Sequence, residues 1–116
     1  MPSFLLEGLH ELANQNPEEA EKAWVRGTIS ADEQAIYANQ IRSVMASAGP
    51  YQNFDVVSVH DFTGRLRVIY LVLNFERMPN IARFLLYRTG NGWVLIDQQF
   101  NVDARTLEPA AQSGNQ

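Results

Sequence analysis

The sequence predicts an α+β domain, three N-terminal helices packed on a four-stranded antiparallel meander sheet. Three observations predict it. The first fifty residues carry three separate helix-start signals. Residues 66–102 read as three long strands joined by short turns near Met78-Pro79 and Gly90-Asn91. Helical and strand patterns are segregated along the chain rather than alternating, which separates this class from parallel α/β folds.

The first helix is marked by Leu5, Leu6, Leu9, Leu12 and Ala13 at helical spacing, with Ser3 as its expected N-cap. The second start is clearer. Asn16 can cap, Pro17 suits the first helical position, and Glu18 and Glu19 favour the positive helix end. Ala20, Ala23 and Trp24 are its expected inward residues, and Gly27 its stop. The third start is a capping box running from Ser30 to Glu33. Tyr37, Ile41, Val44 and Ala48 line one face behind it, with Met45 beside them, and Gly49-Pro50 ends it. Residues 54–61 then alternate loosely as a first strand and lead into a turn at Thr63-Gly64. Residues 1–109 form one domain, and Ala110–Gln116 is expected to be a flexible C-terminal tail.

Register divides the sheet into two faces. Two-residue turns at Met78-Pro79 and Gly90-Asn91 set Leu73 opposite Phe84, and Phe84 opposite Asp97; a slip of one residue would exchange the faces of a strand. One face then holds Phe54, Val56, Ile69, Leu71, Leu73, Phe75, Phe84, Leu86, Trp93 and Leu95, with Ser58, His60, Asp97 and Gln99. It is the richer in large aliphatics and is assigned to the helices. The other holds Val57, Val59, Val68, Tyr70, Val72, Leu85, Tyr87, Val94, Ile96 and Phe100, with Asn74, Glu76, Arg83 and Gln98. Both faces are apolar, so each needs a cover.

Composition excludes several classes. A net charge of −4 argues against non-specific nucleic-acid binding, which needs a basic face. No apolar run of about 18 residues exists, so no membrane span is expected. The absence of cysteine removes disulfides, thiolate nucleophiles and cysteine-rich zinc sites. His10 and His60 are the two histidines. Neighbouring His60 and Asp61 point to opposite sides of a strand, so no catalytic pair is expected; with no cysteine, and with Asp and His scattered, no metal site is expected and no cofactor is implied. The opening MPSFLLEGLHEL lacks a basic signal-peptide region. The compartment stays open: periplasmic or secreted if a leader has been trimmed, cytoplasmic otherwise.

Short helices followed by an antiparallel meander resemble the nuclear transport factor 2-like (cystatin-like) superfamily. The similarity is to small bacterial members without an assigned activity, several of which look exported. It is carried by the stretches 67–70, 74–77 and 84–88, by Gly92-Trp93 and by Phe100-Asn101. It covers about two-thirds of the chain, and its motifs are structural. The resemblance implies a curved, cone-shaped sheet, a cavity between helices and sheet, and dimerisation through the outer sheet face. It transfers no fixed catalytic set, because this superfold hosts isomerases, hydrolases, cyclases and binding modules.

Two functional readings follow. The first is a non-catalytic binding domain, dimeric through Tyr70, Val72, Leu85, Tyr87, Ile96 and Phe100, that takes a small apolar ligand or a protein partner. The second is an acid–base isomerase, cyclase or hydrolase acting on a small hydrophobic substrate. In that reading Asp97 is the base, desolvated beside Phe84, and Tyr37 or Gln99 is the donor. Asp97, Gln99, Tyr37, Trp24 and Phe84 are the pocket candidates. The alternative places Asp97 at the open rim in water, or bonded to Tyr37 or Trp24. An interaction protein that shares the partner face and needs no cavity is a third reading. Arg88 and Trp93, facing across a turn, permit a cation–π contact without any ligand.

Overall fold

The structure is a computed structural model and describes residues 1–107; the expected tail at Ala110–Gln116 lies outside the described residues. Each helix begins where its local chemistry allows. α1 (Ser3–Ala13) starts after Pro2 with no side-chain cap, so Ser3 is its first helical residue rather than its N-cap. α2 (Pro17–Val25) is capped by Asn16, whose side chain accepts the Glu19 N–H. It ends at Val25, with Arg26 in the left-handed region just before Gly27. In α3 (Ala31–Ala48), Ser30 Oγ accepts the Glu33 N–H at 3.1 Å and its hydroxyl faces the Glu33 carboxylate at 3.3 Å. Ser30→Ala is expected to cost about 1 kcal/mol in urea unfolding, because it orphans a first-turn donor.

Four strands follow, β1 (Tyr51–Thr63), β2 (Leu66–Phe75), β3 (Pro79–Thr89) and β4 (Gly92–Gln99), then a short 3₁₀ turn, Ala104–Leu107. They pair antiparallel in sequence order, as a meander. The first turn is Gly64-Arg65, one residue later than expected. The second is longer than two residues. Pro79 already belongs to β3 and pairs with Asn74, which sets Leu73 opposite Asn80 and Ile69 opposite Phe84. This moves the expected register by four residues. The shift is even, so the faces of β2 and β3 survive it.

The edge strands differ. In β4 the two-residue turn at Gly90-Asn91 forms as expected, and Leu86 pairs with Leu95. A bulge at Ile96 then sets Leu85 opposite Asp97 and Phe84 opposite Gln98. One extra residue turns everything after it over. Asp97 and Gln99 face outward, while Gln98 and Phe100 face the core. In β1 a bulge at Val57 does the same. Val59 pairs with Ile69 on the helix side, and Ser58 and His60 pair with Tyr70 and Val68 on the outer side. Each of these seven β1 and β4 assignments is therefore reversed from the regular-strand expectation. An edge strand tolerates a bulge because only one neighbour has to accommodate it.

The helices cover the inner face, with α1 against β1 and α2 against β4. The core joins Leu5, Leu9 and Leu12 of α1 and Ala20, Trp24 and Val25 of α2 to Ile69, Leu71, Leu73, Phe84, Leu86 and Leu95. α3 contributes little: Ala38, Ile41 and Ala48 are its buried residues, and Ile36 is largely exposed. The α3–β1 corner is pinned by backbone bonds from Arg77 N–H to Ala48 O (2.7 Å) and from Glu76 N–H to Pro50 O (3.0 Å). Gly49 turns that corner at φ 89°, where a Cβ would lie 2.8 Å from Glu76 Cβ.

Candidate functional site

The outer face of the sheet is assembled by β2 and β3. Their alternation sends Tyr70, Val72, Ile81, Leu85 and Tyr87 away from the helices, and β4 adds Val94. All six are only half-buried, and none belongs to the core. Polar groups punctuate the face. Arg83 Nη1 donates to Asp97 Oδ2 at 3.2 Å. Asn74 Nδ2 donates to Asn53 Oδ1 and Asp55 Oδ2 at 2.7 and 2.9 Å. Arg65 stacks 4.9 Å over the Tyr87 ring.

On the inner face, away from the aromatic centre, a charged rim forms. Arg67 makes a two-pronged contact with Asp61, at 2.6 and 3.1 Å, and lies 4.4 Å over Trp93. The Arg67 hydrogen bond holds the Asp61 carboxyl below the usual carboxylate range. Arg88 also approaches Trp93, at 5.8 Å, which is the expected cation–π contact, but Arg67 is nearer.

The inner face is otherwise filled. Trp24 and Phe84, two expected pocket residues, are 1 % and 0 % exposed and pack with ring centroids 5.1 Å apart. The Trp24 indole N–H donates to Leu5 O at 3.0 Å. Phe100, expected on the outer face, instead closes this cluster against Trp24, Tyr37 and Phe84. Asp97 does not stand beside Phe84; the Ile96 bulge places it outside, ion-paired with Arg83, and Gln99 lies exposed opposite Arg83. Tyr37, with Ile96 and Asp97, borders a cleft of about 120 Å³ that Val25, Ile29, Glu33, Leu95 and Gln98 complete. Burial, then Asp97, Glu33 and Glu21, push the Tyr37 hydroxyl up.

One constellation escaped the sequence reading. Glu21 of α2 is fully buried, and Gln98 Nε2 donates to its Oε1 at 2.7 Å. Burial pushes the Glu21 carboxyl up to about 8, and the Gln98 bond offsets this only partly. The signal existed. Pro17, Ala20, Glu21 and Trp24 fall at i, i+3, i+4 and i+7, which is one helix face. A glutamate on that stripe reads as solvated until a buried amide is known to meet it.

Among the described residues, no three His, Asp or Glu side chains are grouped to hold a metal ion, and no helix is long and apolar enough to cross a membrane. Comparison with protein-family models, with curated proteins and with solved structures finds no match in any of the three.

Proposed function

We propose that this chain is a non-catalytic binding domain of the nuclear transport factor 2-like (cystatin-like) kind, and that it pairs with a second copy of itself through the outer sheet face. The observation that carries this reading is the half-exposed row of Tyr70, Val72, Ile81, Leu85, Tyr87 and Val94. Four strands about 4.8 Å apart, each with roughly eight residues at about 3.3 Å, give a face on the order of 500 Å² in plan. Corrugated by side chains, that approaches the roughly 800 Å² per partner of a standard interface. A two-fold axis lets one apolar patch satisfy itself.

Two further observations support a binding role over an acid–base enzyme. The space between helices and sheet is filled by side chains such as Trp24, Phe84 and Phe100, and the cleft at Tyr37 is well below the roughly 300 Å³ at which pockets for drug-sized ligands begin. Asp97 borders that cleft from its exposed side, ion-paired with Arg83 rather than desolvated beside Phe84.

The test is the oligomeric state. Light scattering at high micromolar concentration is expected to give a dimer. Leu85→Lys places a charge in the centre of the apolar row, yet opposite Asp97, so the lone chain can accommodate it. The variant is expected to be a folded monomer. A wild-type chain that is monomeric at those concentrations overturns the reading, and a variant that stays dimeric moves the interface to another surface.

A further inference from the structure

Glu21 and Gln98 present an imbalance that one proton removes. Glu21 Oε1 accepts from Gln98 Nε2, but Glu21 Oε2 and Gln98 Oε1 have no hydrogen-bond partner among the described residues. Both residues are nine-tenths buried or more. If Glu21 is ionised, two acceptor oxygens are left in an apolar interior with no donor, which is costly. A protonated carboxyl supplies the missing donor, because an acid and a primary amide are complementary in two hydrogen bonds at once.

We propose that Glu21 and Gln98 form a neutral acid–amide pair, Glu21 donating its O–H to Gln98 Oε1 while accepting the Gln98 N–H, and that loss of that proton to solvent releases α2 from the end of β4. The location gives the pair its leverage. It lies just beyond the Ile96 bulge, beside the cluster of Trp24, Phe84 and Phe100, and it holds the inverted end of β4 against α2.

The surroundings offer an ionised Glu21 no compensation. α3 brings Tyr37 and Glu33, and β4 brings Asp97, none of them a cation at neutral pH. Arg83 of β3 is paired with Asp97 on the outer face. α1 carries Glu7, His10 and Glu11, and α2 and its cap carry Glu18, Glu19, Lys22 and Arg26, of which Lys22 pairs with Glu19 and Arg26 with Glu7 at the surface; burial raises the Glu21 carboxyl and the Gln98 bond lowers it. The sign follows. The folded-state carboxyl titrates near 8 and the unfolded one near its ordinary 4.5, so between these values the folded chain holds a proton that the unfolded chain lacks. Stability is then highest at or below the lower value and falls as pH rises, by about tenfold in the folding constant per pH unit, until about pH 8.

Urea unfolding of the full chain from pH 5 to 9 tests this, with wild type compared with Glu21→Gln. A glutamine reproduces the neutral acid's donor and acceptor, so the variant is expected to fold and to lose the tenfold-per-unit decline. An equal decline in both chains overturns the proposal. Carbon-13 NMR of the wild-type Glu21 carboxyl decides the matter even if the variant does not fold. A midpoint near 8 is expected, and one near 4.5 overturns the neutral pair. Fluorescence of a Trp93→Phe chain, in which Trp24 is the one remaining tryptophan, reads the release of α2. It is expected to change with the same midpoint, and a signal that stays flat through the carboxyl titration overturns the release.

Discussion

Replacing Gly8 with alanine is expected to destabilise the fold by about 3 kcal/mol, the upper range for forcing extra volume into a packed site. Helix propensity alone predicts the opposite, a gain of about 1 kcal/mol for Gly→Ala inside a helix. The packing decides. A Cβ on Gly8 would lie 2.0 Å from Trp24 Nε1 and 2.4 Å from Cδ1. The indole cannot simply swing aside, because its N–H is bonded to Leu5 O and its ring is packed against Phe84. Either α1 and α2 separate, which opens the core, or Trp24 leaves its rotamer and orphans a buried donor. Urea unfolding followed by circular dichroism measures the loss. A variant as stable as wild type would show that Trp24 does not cross α1 at Gly8.

The second large effect separates Ile96 of the last strand from Phe100 just beyond its end. Phe100→Ala is expected to cost about 3–5 kcal/mol, as for other buried aromatics cut to alanine, whereas Ile96→Ala should change stability by under about 0.5 kcal/mol. Phe100 is 8 % exposed and meets three rings at centroid distances of 6.2–6.4 Å. Ile96 is 50 % exposed at the bulge. A regular β4 would put both on the outer face and make the two costs similar. Comparable losses in thermal unfolding would therefore argue against the bulge itself.

Much of the secondary structure is written locally. Asn16-Pro17 and the Ser30–Glu33 box act within one turn of chain, and the α2 and α3 starts follow from them. The Gly90-Asn91 turn is also local, and it sets Leu86 opposite Leu95 as a two-residue hairpin requires. The alternation of β2 and β3 is equally legible, because central strands pair on both sides and cannot absorb an extra residue cheaply.

The edge strands are less legible. Nothing in Leu95-Ile-Asp-Gln98 separates a bulged strand from a regular one. The bulge is favoured by what lies across the core: Glu21 accepts a donor from Gln98, and Trp24 and Tyr37 receive Phe100. Every expected site residue after Ile96 changed sides for that reason. Glu21 was unreadable in the same way. Its partner is 77 residues distant, and a glutamate beside Glu18, Glu19 and Lys22 belongs by composition to a solvated face.

By itself the sequence determined the class and order of the elements, three helices and then four antiparallel strands, and which residues of the two central strands share a face. Those follow from capping, turn chemistry and periodicity, all short-range effects. Only the tertiary structure decided the bulges of the two edge strands, the outward placement of Asp97, the inward placement of Gln98 and Phe100, and the burial of Glu21. Each of these is a choice between two locally equivalent registers. A half-kilocalorie of local preference cannot settle such a choice, whereas filling an aromatic core and satisfying a buried carboxyl differ between registers by several kcal/mol.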